Sequence, residues 1–171
     1  MSTTAAPKIV GPQDGKAGSL GSVGVRFMID TEETANGGFS LVEHPMPVGR
    51  LAAPLHRHSR EDEYSYVIEG RMGALLGDDV VYAEAGNLVF KPRDQWHTFW
   101  NAGDVPCRIL EIIAPGGFEN YFDEIVDATA RGPLDFEWLG GLAARYGLEV
   151  DLEGTAAVCE RFGVTFGPEA P

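Results

Sequence analysis

Apolar and polar residues alternate over short stretches through the middle of the chain, the pattern of half-buried β-strands. Segments 63–69, 71–76, 80–83, 87–90, 96–101 and 108–114 all read as short strands. Gly70, Gly77-Asp78-Asp79, Gly86, the Pro92–Asp94 stretch and Gly103-Asp104 punctuate them. Upstream, 25–29 is a short apolar run, and 39–43 alternates around Leu41 after the turn signal Asn36-Gly37-Gly38. Pro45 and Pro47 are expected to end that strand. Closely spaced strands with no helices between them predict an all-β barrel or sandwich rather than a doubly wound sheet.

After Pro115-Gly116-Gly117 the period changes. Phe118, Tyr121, Phe122, Ile125 and Val126 recur at helical spacing, and Gly132-Pro133 stops the run. Leu139, Leu142, Ala143 and Tyr146 repeat the pattern up to Gly147, and Val158, Cys159 and Phe162 suggest a third helix before Gly163. Such aromatic stripes are packing surface. The organisation expected is an extended arm over 1–24, a barrel over 25–116, and a helical extension over 117–171 packed on the barrel or on a dimer partner.

Composition narrows the function without naming it. The 13 basic and 26 acidic side chains give a formal charge of −13, which repels phosphate backbones and anionic lipid. Nucleic acid and membrane partners are therefore not expected. The 22 glycines and 11 prolines suit many tight turns. Cys107 and Cys159 allow one disulfide but no disulfide framework. Residues 1–10 lack a basic stretch followed by an apolar core, so the expected location is cytoplasmic. No nucleophile elbow, phosphate loop, Cys-x-x-Cys pair or dinucleotide fingerprint is present, which removes support for hydrolase, kinase and nicotinamide-dependent readings.

The candidate chemistry lies in histidines. In His56-Arg57-His58 the two imidazoles share one side of an extended segment and can approach one ion, although solvated loop histidines look the same. Glu63 follows at the start of a strand, on the face of Ser65 and Val67. It is either an exposed acid in a charged run or a third donor. His97 shares a face with Phe99, opposite Trp96 and Trp100, and by itself reads as a core histidine. Three imidazoles and one carboxylate suit Fe, Mn, Ni, Co, Zn or Cu as divalent ions.

Taken together, His56-x-His58-x4-Glu63-x6-Gly70 resembles the first motif of the cupin superfamily, and Gly86-x5-Pro92-x-Asp94-x2-His97-x3-Asn101 resembles the second. The fifteen residues between Gly70 and Gly86 are close to the spacing of small bacterial cupins. Two positions depart from the pattern. Arg50 stands where a glycine is expected before the first histidine, and Asp94 replaces a glycine in the second motif. Neither is a presumed ligand.

The resemblance covers about residues 39–115. It implies a double-stranded β-helix, or jelly-roll barrel, with short C-terminal helices and one divalent transition metal on His56, His58, Glu63 and His97. The tail after Pro115 is similar to that of quercetin dioxygenase-like cupins, which implies a dioxygenase-type oxidoreductase acting on a small-molecule substrate. A metal-dependent isomerase, lyase or cyclase and a non-enzymatic small-molecule-binding barrel are the alternatives. Glu63 would be a permanent ligand or a general base. Ser65, Phe90 and Phe99 are candidate substrate-binding residues from strand phase alone. A homodimer is implied, with Trp96 and Trp100 either in that contact or under the N-terminal arm. His44, at a strand end on the Ser40 and Val42 face, is expected to be structural or exposed, since no spacing supports more. Contact with substrate or an acid–base role is the alternative.

Overall fold

A computed structural model describes residues 7–168. Among the described residues, eleven strands form two antiparallel sheets that face each other. The first sheet runs in the order β1 (Ala17–Ser19), β2 (Gly24–Ile29), β3 (Ser40–Met46), β10 (Cys107–Ala114), β5 (Asp62–Glu69) and β8 (Leu88–Lys91). The second runs β11 (Leu148–Asp151), β4 (Leu55–His58), β9 (His97–Asn101), β6 (Arg71–Leu76) and β7 (Asp79–Glu84). Neighbours such as β3 and β10 are distant in sequence, as a jelly roll requires. The all-β expectation holds, and the strand segments are found where the alternation places them.

The differences have local causes. Pro45 does not end β3: the pairing with β2 stops at Arg26↔Glu43, so the missing N–H of Pro45 falls beyond the ladder on that side. Within the expected arm, Ala17–Ser19 pairs with Gly24–Arg26 as a hairpin that widens the first sheet. Residues 1–6 of that arm lie outside the described residues. The helices are α1 (Glu119–Thr129), α2 (Phe136–Arg145) and α3 (Leu152–Phe162). Asp135 caps α2 by accepting from the backbone of Glu137 and Trp138, and Gly163 closes α3 at φ 64°. Between α2 and α3, β11 returns to the barrel and pairs along the whole of β4. Both cysteines are free thiols. Among the described residues, no helix is long and apolar enough to cross a membrane.

Three clusters make up the core. One fills the barrel around Met46, Val67, Met72, Phe99 and Ile109. A second joins Val25, Val42 and Ile113 to Phe118, Phe122 and Val126 of the first helical segment. The third lies outside the second sheet, where Trp100, buried to 2%, stacks on Phe162 of α3. The cover over Trp100 is thus the C-terminal helix, not the N-terminal arm. Gly73 lies opposite Trp100 in the β6–β9 ladder, and a Cβ there would meet the indole at 2.4–2.6 Å. A rigid ring cannot yield that distance, so Gly73→Ala is expected to destabilise the protein by about 1–3 kcal/mol in urea unfolding.

Candidate metal centre

β4 carries His56 and His58 inward, and His97 on β9 lies directly opposite His56. Glu63 comes from the facing sheet, on β5. Ligand atoms of the four lie within 4.8 Å of one another, and all four residues are buried. Glu63 Oε1 is 3.3 Å from His58 Nε2 and Oε2 is 3.2 Å from His97 Nε2. The sequence therefore brings together all four expected ligands.

The surroundings orient each imidazole. His56 Nδ1 donates to the Pro54 carbonyl at 2.7 Å, and His97 Nδ1 donates to that of Gln95 at 2.9 Å. A carbonyl only accepts, so these bonds place the proton on Nδ1 and leave each Nε2 lone pair for the common centre. His58 differs: neither ring nitrogen has a hydrogen-bond partner among the described residues, although Glu61 Oε2 lies 3.5 Å from Nδ1. The edge of the Phe118 ring packs on this imidazole, with centroids 4.3 Å apart. At the loop before β9, Asp94 adopts φ 63° and its N–H donates to the His58 carbonyl at 2.7 Å, tying the two ligand strands together. Asp94 thus takes the turn conformation that the replaced glycine would supply.

Burial, helped by the neighbouring imidazoles, lowers His56 well below its ordinary pKa, and burial also lowers His97. Burial acts the same way on His58, but the Glu63 and Glu61 carboxylates outweigh it and push that imidazole up to about 9. Glu63 is held well below the usual carboxylate range, because Lys91 and His58 outweigh its burial. A divalent ion suits these residues. The Nε2 lone pairs of His56 and His97, the ionised Glu63 and the His58 Nε2 converge on one point, a donor set that a divalent ion would complete.

Beside the cluster lies a narrow cavity of about 60 Å³. His56, Glu63 and Phe99 line it from the barrel, and Phe118, Tyr121 and Phe122 line it from the helical side. Glu119 holds that helix start in place by accepting from the backbone of Thr31 at 2.8 Å and Gly117 at 2.7 Å. Of the expected substrate contacts, Phe99 is on the wall. Ser65 is fully buried in the barrel, donating to Glu111 at 2.7 Å. Phe90 is a correction: it is 49% exposed and stacks on Tyr64 outside the barrel. The inward positions of β8 are Val89 and Lys91.

Two residues, Lys91 and Glu111, escaped sequence reasoning, which singles out a third, His44, without a placed role. Lys91 Nζ lies 2.9 Å from both Glu63 Oε2 and Glu111 Oε2, and 4.3 Å from the Phe99 ring centroid. Glu111 is on the cavity wall, buried to 1%. His44, also on the wall, donates from Nδ1 to the Gly24 carbonyl at 2.9 Å and packs edge-on against Phe122. Burial lowers His44 to about 4, against an ordinary value near 6.5. Because its folded pKa is depressed, the unfolded chain binds more protons between these values. Stability supplied by neutral His44 is complete above about pH 6.5 and is lost as pH falls towards 4, by about 3 kcal/mol. Denaturant unfolding across that range should show a flatter pH dependence in His44→Gln than in wild type.

A cupin domain model matches residues 43–113. The polyketide cyclase RemF of Streptomyces resistomycificus is 30% identical, with 64% of this chain and 80% of that one covered at a TM-score of 0.54. The tetracenomycin polyketide synthase protein TcmJ of Streptomyces glaucescens is 35% identical over 60 residues, 35% of this chain and 40% of that protein. The uncharacterized protein MJ1618 of Methanocaldococcus jannaschii is 34% identical over 71 residues, 42% of this chain and 56% of its own length. The chain thus spans about half the length of the curated relatives it matches. With the barrel and the motif residues in place, this chain belongs to the cupin superfamily.

Proposed function

We propose that this protein is a metal-dependent cupin enzyme that cyclises an oxygen-bearing, largely apolar small molecule by non-redox carbonyl chemistry. The observation that carries the reading is the clustering of His56, His58, Glu63 and His97, two of which, His56 and Glu63, line a cavity walled by aromatic rings. Likeness to a named polyketide cyclase over most of that protein's length supports the choice of reaction. The bound metal would act as a Lewis acid on a substrate oxygen.

The chain's own residues do the rest. Phe99, Phe118 and Phe122 take up the apolar skeleton and keep water from the reacting carbons. His56 and His97, fixed through their Nδ1 protons, keep their Nε2 atoms turned to the common centre. Glu63, ionised and held between Lys91 and two imidazoles, serves as a donor to the ion and not as the base.

A dioxygenase is the second reading, because three imidazoles and a carboxylate accommodate redox metals equally well. One experiment separates them. Protein loaded with Zn(II), and separately with Fe(II) under exclusion of air, is given a linear tetraketide methyl ester and a flavonol. Cyclised product, formed faster than background without dioxygen uptake, is the expected result. Dioxygen uptake with labelled oxygen entering the flavonol product, and no cyclisation, would replace the cyclase with the dioxygenase.

A further inference from the structure

Glu111 is a carboxylate that the metal centre does not use. It sits on β10, opposite Ser65 of β5, with its side chain inside the barrel. One oxygen, Oε2, is fully engaged: it accepts from Ser65 at 2.7 Å and from Lys91 at 2.9 Å. The other, Oε1, is buried and has no hydrogen-bond partner among the described residues, although Glu111 belongs to the cavity wall. A buried carboxylate oxygen with no donor is costly, and native proteins rarely leave one unless a ligand completes it. Lys91 also bridges Glu111 to Glu63, so this carboxylate is fixed relative to the four metal donors.

We propose that Glu111 is a catalytic residue that carries a proton to and from the bound substrate, with Lys91 and Ser65 as its positioning residues. The substrate class is a ketone with an acidic C–H beside the carbonyl, and the assignment rests on the cyclase-type reading. Oε1 takes the proton from that carbon, and the C–H electron pair becomes an enolate. The enolate carbon attacks a second carbonyl of the same molecule, forming the ring C–C bond. The π pair of that carbonyl moves to its oxygen, which takes the proton back from Glu111. The product is a β-hydroxy ketone, Glu111 returns to its starting state, and no oxidant is consumed.

The environment fits the task. Burial, opposed by Lys91 and assisted by Glu63, pushes Glu111 up to about 7, where a carboxyl group both gives and accepts protons readily. The amine stays charged, since Glu111 and Glu63 outweigh its burial. Anchoring Oε2 twice leaves only Oε1 to act.

The test uses β-tetralone, an apolar bicyclic ketone, with the full chain loaded with Zn(II) in deuterated water. Proton NMR follows deuterium entering the carbon beside the carbonyl. Metal affinity, from a competing chelating dye, and β-tetralone affinity are measured in parallel. Wild type should exchange the probe faster than Zn(II) alone. Glu111→Gln should slow exchange about a hundred-fold or more, with both affinities changed less than about three-fold. Glu111→Asp keeps a charge for Lys91 but withdraws the carboxylate by one methylene, and should lose most of the exchange while remaining folded. Exchange that survives in both variants overturns the Glu111 assignment and leaves the cyclase reading standing. No exchange above background by wild type overturns the assignment and the carbonyl chemistry together.

Discussion

His58→Ala and His97→Ala are each expected to lower affinity for Zn(II) or Co(II) by more than about a hundred-fold while the far-ultraviolet circular dichroism stays that of a folded barrel. Both imidazoles are buried to 1%, and both Nε2 atoms lie 3.2–3.3 Å from a Glu63 oxygen, so removing either takes one donor of four from the common centre. Loss of an outer partner typically costs ten- to a hundred-fold in metal affinity, and loss of a ligand costs more. That contrast gives the experiment an internal scale. Glu61, 3.5 Å from the far nitrogen of His58, is such an outer partner, and Glu61→Gln should fall in the lower range. Isothermal titration of the three variants orders them: two severe losses and one intermediate. Equal affinities in all three would remove His58 and His97 from the site.

Lys91→Met should produce the largest loss of stability, about 3–5 kcal/mol in denaturant unfolding of the metal-free protein. The ammonium group is fully buried and is the only cation shared by Glu63 and Glu111 among the contacts described. Taking it away leaves two carboxylates facing each other in an apolar interior, which costs far more than the net worth of the ion pairs. Methionine keeps the length of the side chain and its contact with Phe99, so packing is little changed. Adding Glu111→Leu to Lys91→Met removes one of the stranded charges and should recover much of the loss. A small effect of Lys91→Met alone would mean that the buried network does not hold the barrel as described.

The cupin motif was readable because it lies in loops and strand starts where single residue types are demanded. Gly70 and Gly86 adopt φ of 76° and 91°, and at Gly70 a Cβ would meet backbone atoms at 2.6–2.7 Å. Strand phase placed Glu63 correctly with Ser65 and Val67, because Tyr64 and Tyr66 on the other face tolerate the surface. The same reasoning misplaced Phe90. An aromatic residue next to a lysine reads as the inward one, yet Lys91 points inward because Glu63 and Glu111 wait for it there.

Glu111 was hidden for a related reason. Ile109, Leu110, Ile112 and Ile113 flank it on both phases, so alternation could not say which face was core. The pairing that makes a buried lysine and two glutamates compatible is a contact among β5, β8 and β10, and no local pattern encodes it. The α1 segment was legible as an amphipathic helix, but its role in closing the cavity over His58 depends on the path of the chain after Gly117. His44 stood at a strand end with no spacing partner; only the register of β3 against β10 sets it on the cavity wall.

The account stands most directly on X-ray absorption at the metal edge of wild-type protein given one equivalent of Co(II). Full uptake of that equivalent, with scattering from three imidazoles and one carboxylate, is the result expected. Weak uptake, or a shell of oxygen atoms without imidazole scattering, would contradict it.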